Sequence, residues 1–174
     1  MLDVTFILAQ AFWLIAPAYA ANAFPPLIKG RIPIDLKMNL RKHRILGDGK
    51  TIEGSVAGII FGMLIGSAQI LSQTYIPKEF GLATMTLPLA FLLSFGTIFG
   101  DIAGSFIKRR FGIPRGNSFI LIDQLDFLIF ALLFASFATA IGFYVILVLI
   151  VLTPPIHWIA NVIGYSIKVK KTPW

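Results

Sequence analysis

One polar stretch of this chain, from Gly100 to Asp126, combines carboxylates with a cluster of cations. The charged residues in it are Asp101, Asp123, Asp126, Lys108, Arg109, Arg110 and Arg115. Carboxylate oxygens are the ligands that Mg²⁺ prefers, and Lys and Arg side chains bind phosphate groups. The stretch therefore predicts a site at which a metal ion and phosphates meet.

The three acids could also serve as ion-pair partners for the neighbouring cations, without any metal. We favour the metal site because the acids exceed what local pairing requires. The chain has no cysteine, so thiolate ligands are excluded and an all-oxygen Mg²⁺ site is expected. Asp101, Asp123 and Asp126 are the predicted metal ligands. Lys108 and Arg109 are expected to hold phosphates during the reaction.

A second polar motif, the glycine-rich segment 47–54, reads GDGKTIEG and precedes an apolar stretch. It is not a P-loop, because Arg44 stands where the first glycine of GxxxxGK[ST] would fall. The N-terminus of a helix nevertheless favours anions, since its amide groups point outward. We predict that this motif binds the phosphates of a nucleotide, with residues Asn22, Asp48, Gly49, Lys50, Thr51 and Glu53 at or near the pocket. The alternatives are a turn with Thr51 as N-cap, and helix-end capping by Asn22.

The composition requires a lipid environment. The chain of 174 residues is 57% hydrophobic and only 13% charged, with a mean hydropathy of +0.84. A soluble domain of this size could not bury so much apolar surface. A helix needs roughly 20 apolar residues to span a bilayer. The candidate spans are about 4–24, 52–71, 82–104, 120–139 and 140–166, which predicts one all-α, five-helix membrane domain over 1–174.

The basic residues predict the orientation of these helices. Five spans place every Lys and Arg except Lys78 on one side of the membrane. By the positive-inside rule, the N-terminus lies outside and the C-terminus lies in the cytoplasm. The two polar motifs then share the cytoplasmic face of a multi-pass protein of the cell membrane.

Two glycine stripes are expected to bring the motifs together. Glycine recurs every fourth residue at 54, 58, 62 and 66, and again at 96, 100 and 104. Small residues at this spacing permit close packing of helices in membranes. Such packing would place the 50–53 segment near Asp101.

The loop between the first two spans contains an alternating segment. Apolar residues occupy positions 32, 34, 36, 38 and 40, and the residues between them are mostly polar. A period of two predicts an extended segment with its apolar side buried and its polar side wet.

The last span carries Pro154-Pro155, which should break or kink it. His157, Asn161 and Tyr165 recur every fourth residue and are expected to line one face. His157 could be a general base, but bonding to a neighbouring helix is the commoner role of such a residue.

The run Gly100-Asp101-x3-Ser105-x2-Lys108-Arg109, followed by Asp123-x2-Asp126, resembles the signature of the CDP-diacylglycerol synthases. That signature contains GD, SxxKR and a later DRxD. Gln124 replaces its arginine here, and no His-Gly-Gly precedes Asp123. With the short chain and the GDGKTxEG loop, these departures make the chain similar to the CDP-archaeol synthase branch.

The resemblance implies an activity as well as a fold. The expected reaction joins CTP to 2,3-bis-O-(geranylgeranyl)-sn-glycerol 1-phosphate and releases pyrophosphate, with Mg²⁺ as cofactor. For this reaction, Asp101, Asp123 and Asp126 are the residues expected to hold the metal, as their residue types suggest.

Two other functions fit parts of the pattern. A CDP-alcohol phosphotransferase would need DGxxAR…GxxxDxxxD, and neither half occurs here. A small ion or solute transporter would place its polar groups near the midplane of the membrane, whereas these crowd its cytoplasmic edge. The net charge of +7 is accounted for by topology and phosphate binding, and no nucleic-acid module is evident.

Overall fold

A computed structural model describes residues 3–28, 30–40, 43–114 and 122–170. Within these ranges the chain is mostly helical, and a small hairpin lies in the long loop that joins the first two helices. The helices are α1 (Val4–Ala23), α2 (Ile52–Ser72), α3 (Leu87–Arg110), α4 (Ile122–Ala135) and α5 (Phe143–Ser166). The hairpin joins β1 (Asn39–Leu40) to β2 (His43–Arg44) in antiparallel register. Among the described helices, α1, α2, α3 and α5 are long and apolar enough to cross a membrane, so the structure confirms a helical, multi-span architecture.

The helix limits follow from local capping. Thr51 accepts a hydrogen bond from the Gly54 amide and starts α2, as the capping alternative predicts. Thr86 caps α3 in the same way, so this helix begins at Leu87 and not near residue 82. Helix α4 ends at Ala135, and α5 begins only at Phe143. The two are therefore separate helices, with a longer connection than predicted.

The glycine stripes form the packing surfaces, as expected. Gly58 lies against the main-chain oxygen of Ala21 in α1, and a Cβ at that glycine would come within 2.7 Å of this oxygen. Gly96 meets the backbone of α4 with a corresponding distance of 2.6 Å to the Phe130 oxygen. Any larger residue would force the backbones apart. These contacts explain how helices with few polar groups associate in lipid.

The core lies between α1, α3, α4 and α5. Helix α1 packs against every other helix described. Its Ala11 and Ile15 are fully buried beside Leu93 of α3 and Leu128 of α4. This central position of α1 leaves the outer faces of the remaining helices apolar and exposed, as lipid contact requires.

The alternating loop segment is buried on the opposite side from that predicted. Ile32, Leu36, Met38 and Leu40 are between 45% and 64% exposed, whereas Pro33 and Asp35 are buried. The period of two also breaks down, because Leu36 and Lys37 have φ angles of 46° and 64° and turn the chain. The hydrogen bonds of Asp35 decide which side of this segment faces inward. They outweigh the preference of the apolar side chains for burial.

Helix α5 is not broken by its two prolines. Pro154 and Pro155 lie inside a helix that runs from Phe143 to Ser166. Thr153, just before them, is buried, and its hydroxyl is 2.8 Å from the hydroxyl of Tyr19 in α1. Contact with α1 therefore supports the helix where the two prolines remove main-chain donors.

Candidate functional site

The predicted acids meet where α3 crosses α4. A Cβ placed on Gly100 would lie 2.5 Å from the main-chain oxygen of Asp126, and one placed on Gly104 would collide with the Asp126 carboxylate. The Asp126 side chain therefore fills the space left by Gly104. Asp101 lies one turn earlier on the same helix. The two glycines thus bring an acid of each helix to one crossing.

Lysines from two different segments bind the neighbouring acids. The Lys50 ammonium group pairs with Asp101, and Lys108 Nζ lies 2.6 Å from Asp123 Oδ1. All four side chains are partly buried, which weakens screening by water. The first pair joins the glycine-rich loop to α3 and confirms that Lys50, at the start of the 50–53 segment, approaches Asp101. The second shows that the ion-pair alternative describes part of this site.

The three acids are close enough to interact but do not surround one point. Asp126 lies at the α3–α4 crossing, one turn of α3 away from Asp101. Within the described residues, however, no three His, Asp or Glu side chains form a group ready to enclose a metal. The Mg²⁺ assignment of Asp101, Asp123 and Asp126 therefore stays a prediction.

Asp35 anchors the loop, a role that the sequence analysis missed. It is 3% exposed and accepts bonds from the Arg44 guanidinium at 2.7 and 3.1 Å. It also accepts from the amides of Lys37, Leu46 and Gly47. The bond from Arg44 holds the pKa of Asp35 well below its usual range, and the three amides act in the same direction against burial. The only signal in the sequence was an acid preceding a turn.

The Asp35 anchor predicts acid sensitivity of this loop. Because the folded pKa is depressed, its stabilisation is complete above the ordinary aspartate pKa and is lost as the pH falls below it. Asp35→Asn should weaken the loop by about 1–3 kcal/mol at pH 7 and remove the acid dependence. Hydrogen exchange of the Leu46 and Gly47 amides, corrected for intrinsic rates between pH 7 and pH 3, measures both effects.

Asp48→Asn is the matched control, because Asp48 also pairs with Arg44, at 3.0 Å, but its side chain is 58% exposed. An exposed pair contributes little. The control should keep the protection and acid dependence of the parent. Equal loss of protection in the two variants would refute an anchor at Asp35.

The basic end of α3 holds the hairpin in place. Arg110 donates to the main-chain oxygens of Leu40 and Arg44 at 2.9 and 2.7 Å. Its neighbour Arg109 is half-buried at the same helix end. Arg115 lies outside the described residues. The two polar loops are thus joined by direct contacts at one end of the bundle.

The predicted CTP residues divide into three groups. Lys50 reaches the acids, while Asp48 and Gly49 are exposed beside it. The hydroxyl of Thr51 caps α2. The Glu53 carboxylate accepts the amides of Arg31 and Ile32 at 3.0–3.3 Å, so it fastens the start of the loop. In this arrangement, two of the six have structural roles, and contact of any of them with CTP stays a prediction.

The sixth residue, Asn22, lies in a separate cavity between α1 and α5. The cavity has a volume of about 410 Å³ and is also lined by His157, Asn161 and Lys170. His157 Nδ1 is 3.4 Å from the Asn161 amide nitrogen, so its nearest polar partner is on its own helix. Tyr165 is exposed and does not line the cavity. Of the three polar residues predicted to share one face of α5, only His157 and Asn161 therefore face it.

Known proteins are similar to this chain over nearly its whole length. The family model of CarS-like CDP-archaeol synthases matches residues 2–174. The CDP-archaeol synthase of Pyrococcus horikoshii is 46% identical over 168 residues, which cover 96% of this chain and 97% of that protein. The Archaeoglobus fulgidus enzyme of the same name is 42% identical over 186 residues, covering both chains completely.

A solved structure supports the same relationship. It is of an intramembrane enzyme for archaeal membrane lipids biosynthesis, and it superposes with a TM-score of 0.78 at 36% identity. The match covers 88% of this chain and 94% of that one. Family model, relatives and fold agree: the chain belongs to the CDP-archaeol synthase family.

Proposed function

We propose that this chain transfers CMP from CTP to 2,3-bis-O-(geranylgeranyl)-sn-glycerol 1-phosphate, giving CDP-unsaturated archaeol and pyrophosphate for ether phospholipid synthesis. Family membership supports the reaction. One structural observation carries its location: Lys50 of the glycine-rich loop pairs with Asp101 beside the α3–α4 crossing that carries Asp126. A cation suited to a triphosphate and acids suited to a metal thus lie within one site.

The donor groups at this site fit Mg²⁺. Asp101, Asp123 and Asp126 offer only carboxylate oxygens, and the first two already bind cationic groups in the form of lysine ammonium ions. We assign these three residues to the ion. When bound, Mg²⁺ supplies charge neutralisation at the phosphates of CTP.

The remaining chemistry needs positioning more than a protein nucleophile. A phosphate oxygen of the lipid forms a bond to the α-phosphorus of CTP, and the bond to the bridging oxygen of the β-phosphate breaks. Pyrophosphate leaves with that electron pair. The lipid phosphate is a monoester already ionised near neutral pH, so no strong base is required. We assign Lys50 to the triphosphate of CTP, and Lys108 and Arg109 to offsetting charge on the leaving group.

We further propose that all five helices cross the membrane, with the N-terminus outside and the site facing the cytoplasm of a multi-pass protein. One end of the bundle carries the basic loops, and it contains the C-termini of α1, α3 and α5 and the N-terminus of α2. Lys78 lies at the opposite end of the bundle. The basic end is therefore the cytoplasmic one.

Pyrophosphate release by the purified protein in detergent tests the reaction. The assay contains CTP, Mg²⁺ and the ether-lipid phosphate, with each omitted in turn and ATP, GTP and UTP as competitors. Release that requires all three components is expected. If folded protein releases no pyrophosphate with any nucleotide, the proposal fails, and consumption of a CDP-lipid becomes the reaction to assay.

A further inference from the structure

The cavity between α1 and α5 has an apolar body and a polar end. Most of its lining is apolar, with Phe127 of α4 among the contributing residues. The hydroxyls of Tyr19 and Thr153 bond to each other, and the other polar groups come from Asn22 near the end of α1 and from His157, Asn161 and Lys170. Its volume of about 410 Å³ falls at the lower end of ordinary ligand sites, roughly 300–1,000 Å³. It can take a headgroup and the near part of attached chains, but not a whole diether lipid.

The chain turns back after α5 to place Lys170 in this cavity. Lys168 adopts a left-handed conformation with φ of 62°. The amides of Val169 and Lys170 then donate to the Gly164 oxygen at 2.9 and 3.0 Å. The Lys170 stem packs beside Gly164, where a Cβ would meet it at the ordinary contact distance of 3.5 Å. The ammonium group donates to the Asn161 side-chain oxygen.

Lys170 is a partly buried cation that donates to the neutral side chain of Asn161. Burial lowers the pKa of Lys170, the charge of Lys50 acts in the same direction, and the charges of Asp101 and Asp123 oppose them. Burying an ammonium group against a neutral hydrogen-bond partner is costly. An anion in the cavity would offset that cost, so the charge complementarity of this end favours an anionic ligand.

The polar end of the cavity also adjoins the acid site. Phe127 lines the cavity and directly follows Asp126 in α4. Its ring centroid lies 5.9 Å from that of His157. A phosphate bound at this end would therefore lie toward the residues assigned to CTP and Mg²⁺.

Exposed apolar residues also line the cavity. Leu27, Ile163 and Ile167 line it and are strongly exposed. Apolar side chains exposed on the outer face of a membrane helix contact lipid. Chains longer than the cavity can therefore pass between α1 and α5 into the bilayer.

We propose that this cavity binds the lipid phosphate substrate, with Lys170 contacting its phosphate monoester and the apolar lining holding the first part of its isoprenoid chains. The inference rests on the proposed function for the identity of the lipid. Lys170 becomes a substrate-binding residue contributed by the turn after α5. The phosphates of CTP are the competing source of the same chemistry, and the kinetic experiment separates the two.

Lys170→Gln should raise the KM for the ether-lipid phosphate at least tenfold and leave the KM for CTP within twofold. Lys170→Arg should restore most of the lost affinity. Lys168→Gln is the matched control, because Lys168 lies in the same turn and is exposed, and it should behave as the parent. An unchanged KM for the lipid, a matching rise in the KM for CTP, or an equal effect of Lys168→Gln would overturn the proposal.

A binding measurement keeps the cavity testable if turnover fails. The parent protein in detergent is expected to bind the ether-lipid phosphate at least tenfold more tightly than the same diether glycerol without phosphate. Lys170→Gln should abolish that difference. If the parent binds both lipids equally, the cavity is not a phosphate site. If binding behaves as expected but no pyrophosphate is released, the proposed reaction fails and the lipid site stands.

Discussion

Replacing Asp123 by asparagine should lower kcat by more than about 100-fold, a loss of about 2.7 kcal/mol in transition-state stabilisation. The substitution keeps the size of the side chain but removes its charge. It therefore removes one assigned Mg²⁺ ligand and the acid that holds Lys108 at 2.6 Å. Both effects act on charge that must be offset while pyrophosphate leaves. The fold should survive because the side chain is only partly buried at the start of α4.

Asp3→Asn provides the control for this change. Asp3 accepts a hydrogen bond from the Thr5 amide at the other end of the bundle, and asparagine caps helices equally well. Pyrophosphate release should stay within twofold of the parent, while thermal unfolding in detergent verifies that both variants are folded. Near-normal kcat for Asp123→Asn would remove Asp123 from the catalytic site and the metal assignment with it.

Lys50→Met should reduce kcat/KM for CTP by about 10- to 100-fold, mainly through the KM, as expected for loss of a charged contact with phosphate. Methionine retains most of the stem and removes the ammonium group. Asp101 then loses its cationic partner in a partly buried position. Steady-state kinetics with varied CTP at saturating Mg²⁺ and lipid measure the effect. Lys78→Met, at the opposite end of the bundle, should leave the constants within twofold.

A titration with Mg²⁺ separates two roles of Lys50. If the lysine only neutralises Asp101, its removal frees that acid, so the concentration of Mg²⁺ giving half-maximal activity should fall and the KM for CTP should not change. If the lysine binds CTP, the KM for CTP rises at every Mg²⁺ concentration. The first pattern would contradict the assignment of Lys50 to the triphosphate.

The helices and their contacts could be predicted because long apolar segments and glycines at every fourth residue act locally. Gly58 and Gly100 lie in helix interfaces for the reason that the spacing suggested. The spacing of acids along two helices likewise identified Asp101 and Asp126 before their crossing was visible. The glycine spacing also predicts that Lys50 lies near Asp101, and the two side chains form an ion pair.

The loop and the cavity depend on contacts between residues far apart in the chain. Asp35 is buried because Arg44 and three amides converge on it, which no pattern of hydropathy encodes. The sequence predicts Glu53 as a ligand-binding acid. In the structure it accepts hydrogen bonds from the amides of Arg31 and Ile32, 22 and 21 residues earlier in the chain. The sequence also predicts that Asn22 lies near the nucleotide pocket of the glycine-rich loop. Packing of α1 against α5 instead places Asn22 in the cavity that Lys170 also lines.

The crossing of α3 and α4 also sets a spacing that side-chain rotation alone cannot adjust. The backbone of Asp126 rests on Gly100 and its carboxylate occupies the space beside Gly104. The separation between Asp101 and the acids of α4 is consequently fixed by how far apart two helix axes lie. An added methyl group at either glycine would widen that separation without touching a charged residue. Catalytic failure in such a variant would then be a matter of distance between intact groups, detectable as lost turnover in a protein that still folds.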